Sequence, residues 1–314
     1  MHVFPRFLCC AALSILPVAW LHATGEPAET QQPFRTGVAV VRVDVLVMDG
    51  SRPVAGLTSE DFELRDSGVV QQIQAVTIAD IPISVMLALD TSSSVDGPPL
   101  IRLKDAALAA LGTLRPEDRS ALLTFSGAVR LRRDWGPPSV EMRTAIADVR
   151  AGGSTSLFDA AFSALTLRDP VPGNRSLVIL FSDGADTSSW LPEHAALDRT
   201  RRTDAVVYAA AIRGAWESRL RFRSGIQLRD QAQRSIYDKT PFIEELASLT
   251  GGKTFIADGA NRLRETFTDI VTEFRSRYLL TYVPEGVDSG GWHPLEVRLK
   301  EKKGRVTARR GYDR

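Results

Sequence analysis

The hydrophobic pattern changes its period twice along the chain. From Val38 to Met48, Val41, Val43, Val45 and Val47 alternate with Arg42 and Asp44. That period of two predicts a half-buried strand with Arg42 and Asp44 pointing away from the core. Asp49-Gly50 then turns the chain, and Thr58-Ser59-Glu60-Asp61 has the form of a capping box opening a single helical turn. Strands follow over 62–65 and 69–76, separated by a turn at Asp66-Ser67-Gly68. Three strands without a long helix between them predict an antiparallel sheet, and about forty residues bury too little core to stand alone.

From Ile81 strands alternate with helices. The run 83–89, Ile-Ser-Val-Met-Leu-Ala-Leu, reads as a strand covered on both faces, and it breaks abruptly into Asp90-Thr91-Ser92-Ser93-Ser94. Leu100, Leu103, Ala107, Leu108, Leu111 and Leu114 recur at helical spacing and stop before Pro116. Strands over 121–125 and 129–135 precede a helix over 139–149. Gly152-Gly153-Ser154-Thr155 then leads into a helix that turns Leu157, Phe158, Ala161, Phe162 and Leu165 inward. A second apolar strand, 177–181, breaks into Ser182-Asp183-Gly184. A helix over 192–201, a strand over 205–212, a helix over 241–249 and a strand over 253–256 follow. An amphipathic helix carrying Leu263, Phe267, Ile270, Val271 and Phe274 closes the series.

After Arg277 only strands remain, over 278–283, 292–299 and 306–309, with a glycine-rich turn at 286–291. The order β-only, α/β, β-only predicts a fold of the α/β class: a doubly wound, mostly parallel sheet inserted in a smaller β-sandwich built from the N- and C-terminal arms. The boundaries read as a signal peptide over 1–25, a flexible leader over 26–36, an arm over 37–79, the α/β domain over 80–276 and the second arm over 277–314.

Composition narrows the function classes. The 314 residues are 44% hydrophobic and 25% charged, an ordinary globular balance, and 39 Lys and Arg against 38 Asp and Glu give no reason to expect nucleic acid. At the N-terminus, Arg6, an apolar run from Phe7 to Leu21 and Ala23-Thr24-Gly25 have the layout of a secretory signal. The run is broken by Pro17 and falls short of the ~20 residues that span a bilayer. The expectation is therefore an exported protein, periplasmic, cell-surface or secreted, with no stable membrane span after cleavage. Cys9 and Cys10 both lie in the signal segment, so the mature chain has no disulfide, thiolate nucleophile or cysteine-ligated zinc.

In open α/β sheets ligands gather outside the carboxyl ends of the strands, where the run 83–89 delivers Asp90, Ser92 and Ser94. Three hard oxygen donors at i, i+2 and i+4 suit a small divalent cation such as Mg²⁺. Taken with the Gly-Gly-Ser-Thr loop that opens a helix and the Ser-Asp-Gly after a later strand, this Asp-x-Ser-x-Ser loop resembles the metal-ion-dependent adhesion site (MIDAS) of the von Willebrand factor type A domain. Over 80–276 the element order is similar as well. The arms, with Val43-Asp44-Val45-Leu46-Val47, Leu57-Thr58-Ser59-Glu60-Asp61-Phe62 and Arg309-Arg310-Gly311-Tyr312, further resemble a bacterial family of exported proteins related to this domain.

The resemblance implies that Asp90, Ser92, Ser94, Thr155 and Asp183 hold Mg²⁺ or Mn²⁺. It also implies that an acidic side chain of a partner protein completes the coordination, coupled to a shift of the last helix near 260–275. The family loop reads Gly-Gly-Thr, whereas Ser154 is inserted here, so Ser154 or Ser156 stands as an alternative to Thr155. Asp96 and Asp186 read as solvated loop carboxylates beside the site. The connection 213–234, with six arginines against Glu217 and Asp230, reads as a long solvated loop whose length and position also make it the place for partner specificity, and Trp190 is a candidate for the rim or else for core packing or a surface cap.

Two other functional classes stand beside adhesion. One is an interaction scaffold whose metal is structural or vestigial. The other is a Mg²⁺-dependent hydrolase, against which the mature chain offers only His194 and His293, no cysteine, no Gly-x-Ser-x-Gly elbow and no phosphate-cradling loop. The expectation is a binding module and no enzyme.

Overall fold

The computed structural model describes residues 40–78, 81–213, 241–258 and 262–314. All belong to one compact unit, Val38–Arg314. The signal segment with Cys9 and Cys10, the leader, and the arginine-rich connection up to Arg234 lie outside these residues.

Six strands form the central sheet: β6 (Ile83–Asp90), β7 (Arg119–Phe125), β8 (Val129–Gly136), β9 (Arg175–Phe181), β10 (Val206–Arg213) and β11 (Thr254–Asp258), in the spatial order β11-β10-β9-β6-β7-β8. All neighbours run parallel except β8, which returns antiparallel to β7. Side chains of β6 alternate between two cores. Val85, Leu87 and Leu89 face α1 (Pro98–Gly112), α2 (Val140–Ala147) and α6 (Leu263–Arg275). Met86 and Ala88 face α3 (Leu157–Thr166), α4 (Glu193–Arg199) and α5 (Pro241–Leu249). Burial on both faces explains why β6 and β9 carry no polar alternation. The order reverses between β6 and β9, since the chain proceeds to β7 on one side and to β10 on the other. This makes the gap above their carboxyl ends the topological switch point.

The arms interleave in two antiparallel sheets. β1 (Val41–Asp49) lies between β12 (Tyr278–Tyr282) and β14 (Arg305–Thr307), with β5 (Ile73–Ile78) beyond β12 and the short β2 (Arg52–Pro53) beside β1. The second sheet has the order β15-β13-β3-β4, from Gly311–Asp313, Trp292–Leu299, Phe62–Asp66 and Val69–Gln71. Val43, Val45, Val47, Phe62, Leu64, Leu280 and Tyr282 share one core, against which Leu295 and Val297 pack. The two sheets thus form the sandwich, each requiring strands from both arms.

Three expectations need correction. The stretch 69–76 is two strands in different sheets, because the chain crosses over at Gln72 while buried Gln71 is held by Glu285, whose backbone N–H donates to its Oε1 at 2.9 Å. The three N-terminal strands do not form one sheet of their own, since β1 pairs with C-terminal strands while β3 and β4 pair in the other sheet. Asp44 does not face solvent: it is 9% exposed and pairs with the buried Arg175 at the foot of β9. β15 carried no strand signal, being only three residues long. Among the described residues no helix is long and apolar enough to cross a membrane.

Candidate metal centre

Asp90, the last residue of β6, is wholly buried. Its Oδ1 accepts the backbone N–H of Ser92 at 2.9 Å, and its Oδ2 accepts the hydroxyl of Ser182 at 3.0 Å. Ser182 is the first residue beyond β9, so the parallel register that sets Leu89 beside Phe181 brings the two strand ends together. Burial pushes the Asp90 carboxyl up to about 6 against the hydrogen bonds from Ser92, and the nearby charge of Asp183 pushes in the same direction. No cationic side chain pairs with Asp90 among the described residues. Ser92 is also buried, and its hydroxyl lies 2.9 Å from that of Ser94. Half-buried Asp183 turns its Oδ1 to the N–H of Ala185 at 3.0 Å.

Backbone bonds hold the three loops together. Thr91 donates both its N–H and its hydroxyl to Phe125 O, and the N–H of Gly152 reaches Thr91 O at 2.8 Å. Ser93 donates to Gly153 O at 3.0 Å, a closure for which Gly153 takes a φ of +87°. Thr155 receives the N–H groups of Thr187 and Ser188 on its carbonyl, at 2.8 and 3.0 Å, and donates its own N–H to the Thr187 hydroxyl at 2.8 Å.

The Thr155 side chain is buried, and its hydroxyl forms no hydrogen bond among the described residues. Of its two alternatives, Ser156 is engaged elsewhere, its hydroxyl 3.1 Å from that of Ser188, while Ser154 is exposed.

Asp186 is no solvated carboxylate. Ser156, the N-cap of α3, makes no side-chain cap, and Asp186 supplies it from another loop, accepting the N–H groups of Leu157 and Phe158 at 2.8 and 3.3 Å. Asp159 returns the contact by accepting the N–H groups of Trp190 and Leu191 at 3.0 and 2.9 Å. The clasp fixes the loop while leaving the Trp190 side chain 94% exposed. Asp96 is an exposed loop carboxylate that accepts from the N–H of Gly97, as expected. Sequence reasoning missed Ser182, Asp159 and Ser189. Ser182 was legible in principle as the residue next to Asp183; the clasp was not, because it joins loops thirty residues apart.

The donor set is hard oxygen throughout: two carboxylates close enough to repel and three hydroxyls. Among the described residues no group of three or more His, Cys, Asp and Glu side chains is placed for a metal, so a cation here relies on hydroxyls for its remaining protein ligands. These residues fit Mg²⁺ or Mn²⁺, which take oxygen ligands and water, and not a nitrogen- and sulfur-ligated structural zinc.

Residues 85–185 match the family model described as von Willebrand factor type A domain, a span that runs from β6 to just past Asp183. Over that span the chain is similar to the von Willebrand factor type A domain. Curated relatives include inter-alpha-trypsin inhibitor heavy chain H4 of Homo sapiens, 28% identical over 171 residues, and of Sus scrofa, 28% identical over 169. Each alignment takes in 51% of this chain but only 18% of the relative's length. Similar solved structures include the von Willebrand factor type A protein from Catenulispora acidiphila, at 16% identity and a TM-score of 0.47, covering 85% of this chain and 75% of that one. Another is proximal thread matrix protein 1 from the mussel byssus with a zinc-occupied MIDAS motif, at 16% identity and a TM-score of 0.48, covering 65% and 48%. A third is the type A domain of the pilus tip protein Mfa5 from Porphyromonas gingivalis, at 12% identity and a TM-score of 0.47, covering 67% and 98%.

Proposed function

We propose that this chain is an exported, metal-ion-dependent protein-binding module. In this reading Asp90, Ser92, Ser94, Thr155 and Asp183 hold Mg²⁺ or Mn²⁺, and the cation bridges to an acidic side chain of a partner protein. The observation that carries the reading is the Asp90 carboxylate, wholly buried beside Asp183 with hydroxyls around it and, among the described residues, no cationic side chain paired with it. A buried, uncompensated carboxylate costs folding energy, and a bound divalent cation offsets that cost. Two carboxylates and neutral hydroxyls leave the ion able to accept one more anionic ligand. That chemistry recruits an acidic side chain, so the reading is of a binding domain rather than an enzyme.

The test is calorimetric titration of the mature protein with Mg²⁺ and Mn²⁺, alongside Asp90→Ala, followed by partner capture with and without EDTA. Saturable metal binding that Asp90→Ala abolishes, together with capture lost in EDTA, is the expected result. Absence of metal binding would refute the centre. Metal binding with EDTA-resistant capture would refute the bridge and leave a structural ion.

A further inference from the structure

The candidate metal loops occupy the carboxyl edge of the central sheet, and a concentration of positive charge lies at its opposite edge. An open cleft of about 340 Å³ forms where the start of β1, the end of α3, the approach to β10 and the C-terminal strand β15 meet. Arg42, Arg168, Arg201, Arg202, Arg309 and Arg314 line it together with two side-chain carboxylates, Asp204 and Asp313.

Arginines that serve only a fold are ordinarily fixed by carboxylates, which cancel their charge as they position them. Here the fixing groups are mostly neutral. Arg42 donates to Gly173 O at 2.9 Å and Asn174 O at 3.3 Å, Arg168 to Arg202 O at 2.6 Å, and Arg309 to Gly311 O at 2.8 Å and Arg201 O at 3.4 Å. Arg201 lies 5.2 Å from the Trp292 ring centroid, and its ion pair is the exposed Asp198 at 3.7 Å. Arg202 makes an ion pair with a carboxylate lining the cleft, Asp313 at 3.3 Å, and Arg309 feels the charge of Asp204. Carbonyl and aromatic contacts orient guanidinium groups without neutralising them, so the cleft is ordered and still strongly cationic. The crowding has a cost. Burial lowers the neighbouring Arg199 guanidinium from its ordinary value, and repulsion from Arg168 and Arg202 lowers it further.

We infer that this cleft is a second binding site, independent of the metal centre, for a multiply charged tetrahedral oxyanion: a phosphate monoester. A single carboxylate would leave most of these guanidinium groups unneutralised. An ester oxyanion presents three oxygens to several planar forks at once.

The experiment uses the full chain in EDTA, so that metal chemistry plays no part. Thermal unfolding is followed while inorganic phosphate or sulfate is titrated against sodium chloride at matched ionic strength. A saturable stabilisation by the oxyanions is expected, with affinity falling as salt rises. Arg168→Gln combined with Arg314→Gln, both at exposed positions, should weaken it roughly tenfold or more while Asp90→Ala leaves it unchanged. Arg314→Gln alone serves if the double variant unfolds early. Sedimentation with vesicles containing phosphatidic acid, whose headgroup is a phosphate monoester, or with neutral phosphatidylcholine vesicles separates the sources. Binding of free oxyanion alone assigns a soluble ester, and variant-sensitive binding of anionic vesicles as well assigns a lipid phosphate. No saturable effect beyond chloride, or an equal effect in the variants, would overturn the site.

Discussion

Removing Asp44 should damage this protein more than any exposed ion pair could. Asp44 sits on β1 in the sandwich and Arg175 at the start of β9 in the central sheet, with side chains 8% and 1% exposed. Arg175 donates from Nε to Asp44 Oδ1 at 2.7 Å, and its Nη2 reaches the same oxygen. Nη2 also donates to Phe274 O at 3.2 Å, and the guanidinium lies 4.7 Å from the Phe274 ring centroid at the end of α6. Asp44→Ala leaves that guanidinium buried with only a carbonyl and a ring for company. Breaking a buried pair by removing one partner costs about 3–5 kcal/mol, against total stabilities of about 5–15 kcal/mol for ordinary domains. The exposed Arg298–Glu296 pair at 2.5 Å is the control, since Glu296→Ala should cost no more than about 1 kcal/mol.

Urea unfolding followed by far-UV circular dichroism gives both values, provided the m-value stays constant. Asp44→Leu combined with Arg175→Met removes both charges and should recover most of the loss, which a double-mutant cycle measures directly. If Asp44→Ala costs no more than Glu296→Ala, the seam between sandwich and sheet is not held by this pair. We further propose that 80–276 is a domain inserted between the arms. Because its two helical layers each have a core of their own, a fragment with those bounds should fold, but lose stability by about the cost of the missing Asp44.

Three shorter predictions follow from individual contacts. Thr155→Val should weaken Mg²⁺ binding in calorimetry by tenfold or more, while Ser154→Ala leaves it unchanged; the reverse order would move the ligand to Ser154. Asp186→Ala strips the cap from α3 and should cost about 1–2 kcal/mol in urea unfolding, with no change of fold by circular dichroism. In the sandwich, burial raises the Asp66 carboxyl, but hydrogen bonds from Tyr282 and Tyr312 at 2.8 Å, His293 at 2.9 Å and Ser67 at 3.1 Å outweigh it and hold the group below its ordinary 3.8. A depressed carboxyl contributes stability above 3.8 that is lost as pH falls through the folded value, so Asp66→Asn should flatten the acid limb of a stability–pH curve; an unchanged limb would exclude Asp66 as its source.

What could be read from the chain alone depended on whether the relevant neighbours were near in sequence. β6 and β9 were legible because burial on both faces removes polar alternation altogether, and Asp90, Ser92 and Ser94 because one loop carries all three. Thr155 was harder. The inserted Ser154 disturbs the glycine spacing, and of the three candidate hydroxyls only that of Ser156 is engaged among the described residues, by Ser188. Asp44 was misread for a related reason: in an alternating strand a charged residue looks solvent-facing until the surface opposite it is known. Its partner lies 131 residues away. Arg277 is buried by the same logic, donating to Tyr208 Oη at 3.0 Å and to Gly251 O at 2.5 Å.

Asp44 and Arg277 are buried at one seam, and that location has a physical meaning. The two arms and the α/β domain each announce their own cores through apolar periodicity, whereas the surface joining them is made of arginines and carboxylates that periodicity assigns to water. The seam touches the base of β9 and the end of α6, while the candidate metal loops crown the opposite ends of β6 and β9. Polar pairing at that seam fixes which way α6 and the sheet sit with more geometric demand than an apolar contact would, because a misaligned guanidinium is left unpaired. A shift of α6 coupled to events at Asp90 would therefore have to keep or replace the Phe274 contact of Arg175. Comparing the Mg²⁺ affinity of Arg175→Met with that of the unaltered protein measures the coupling. Equal affinities would mean that the seam supports the fold without reaching the metal loops.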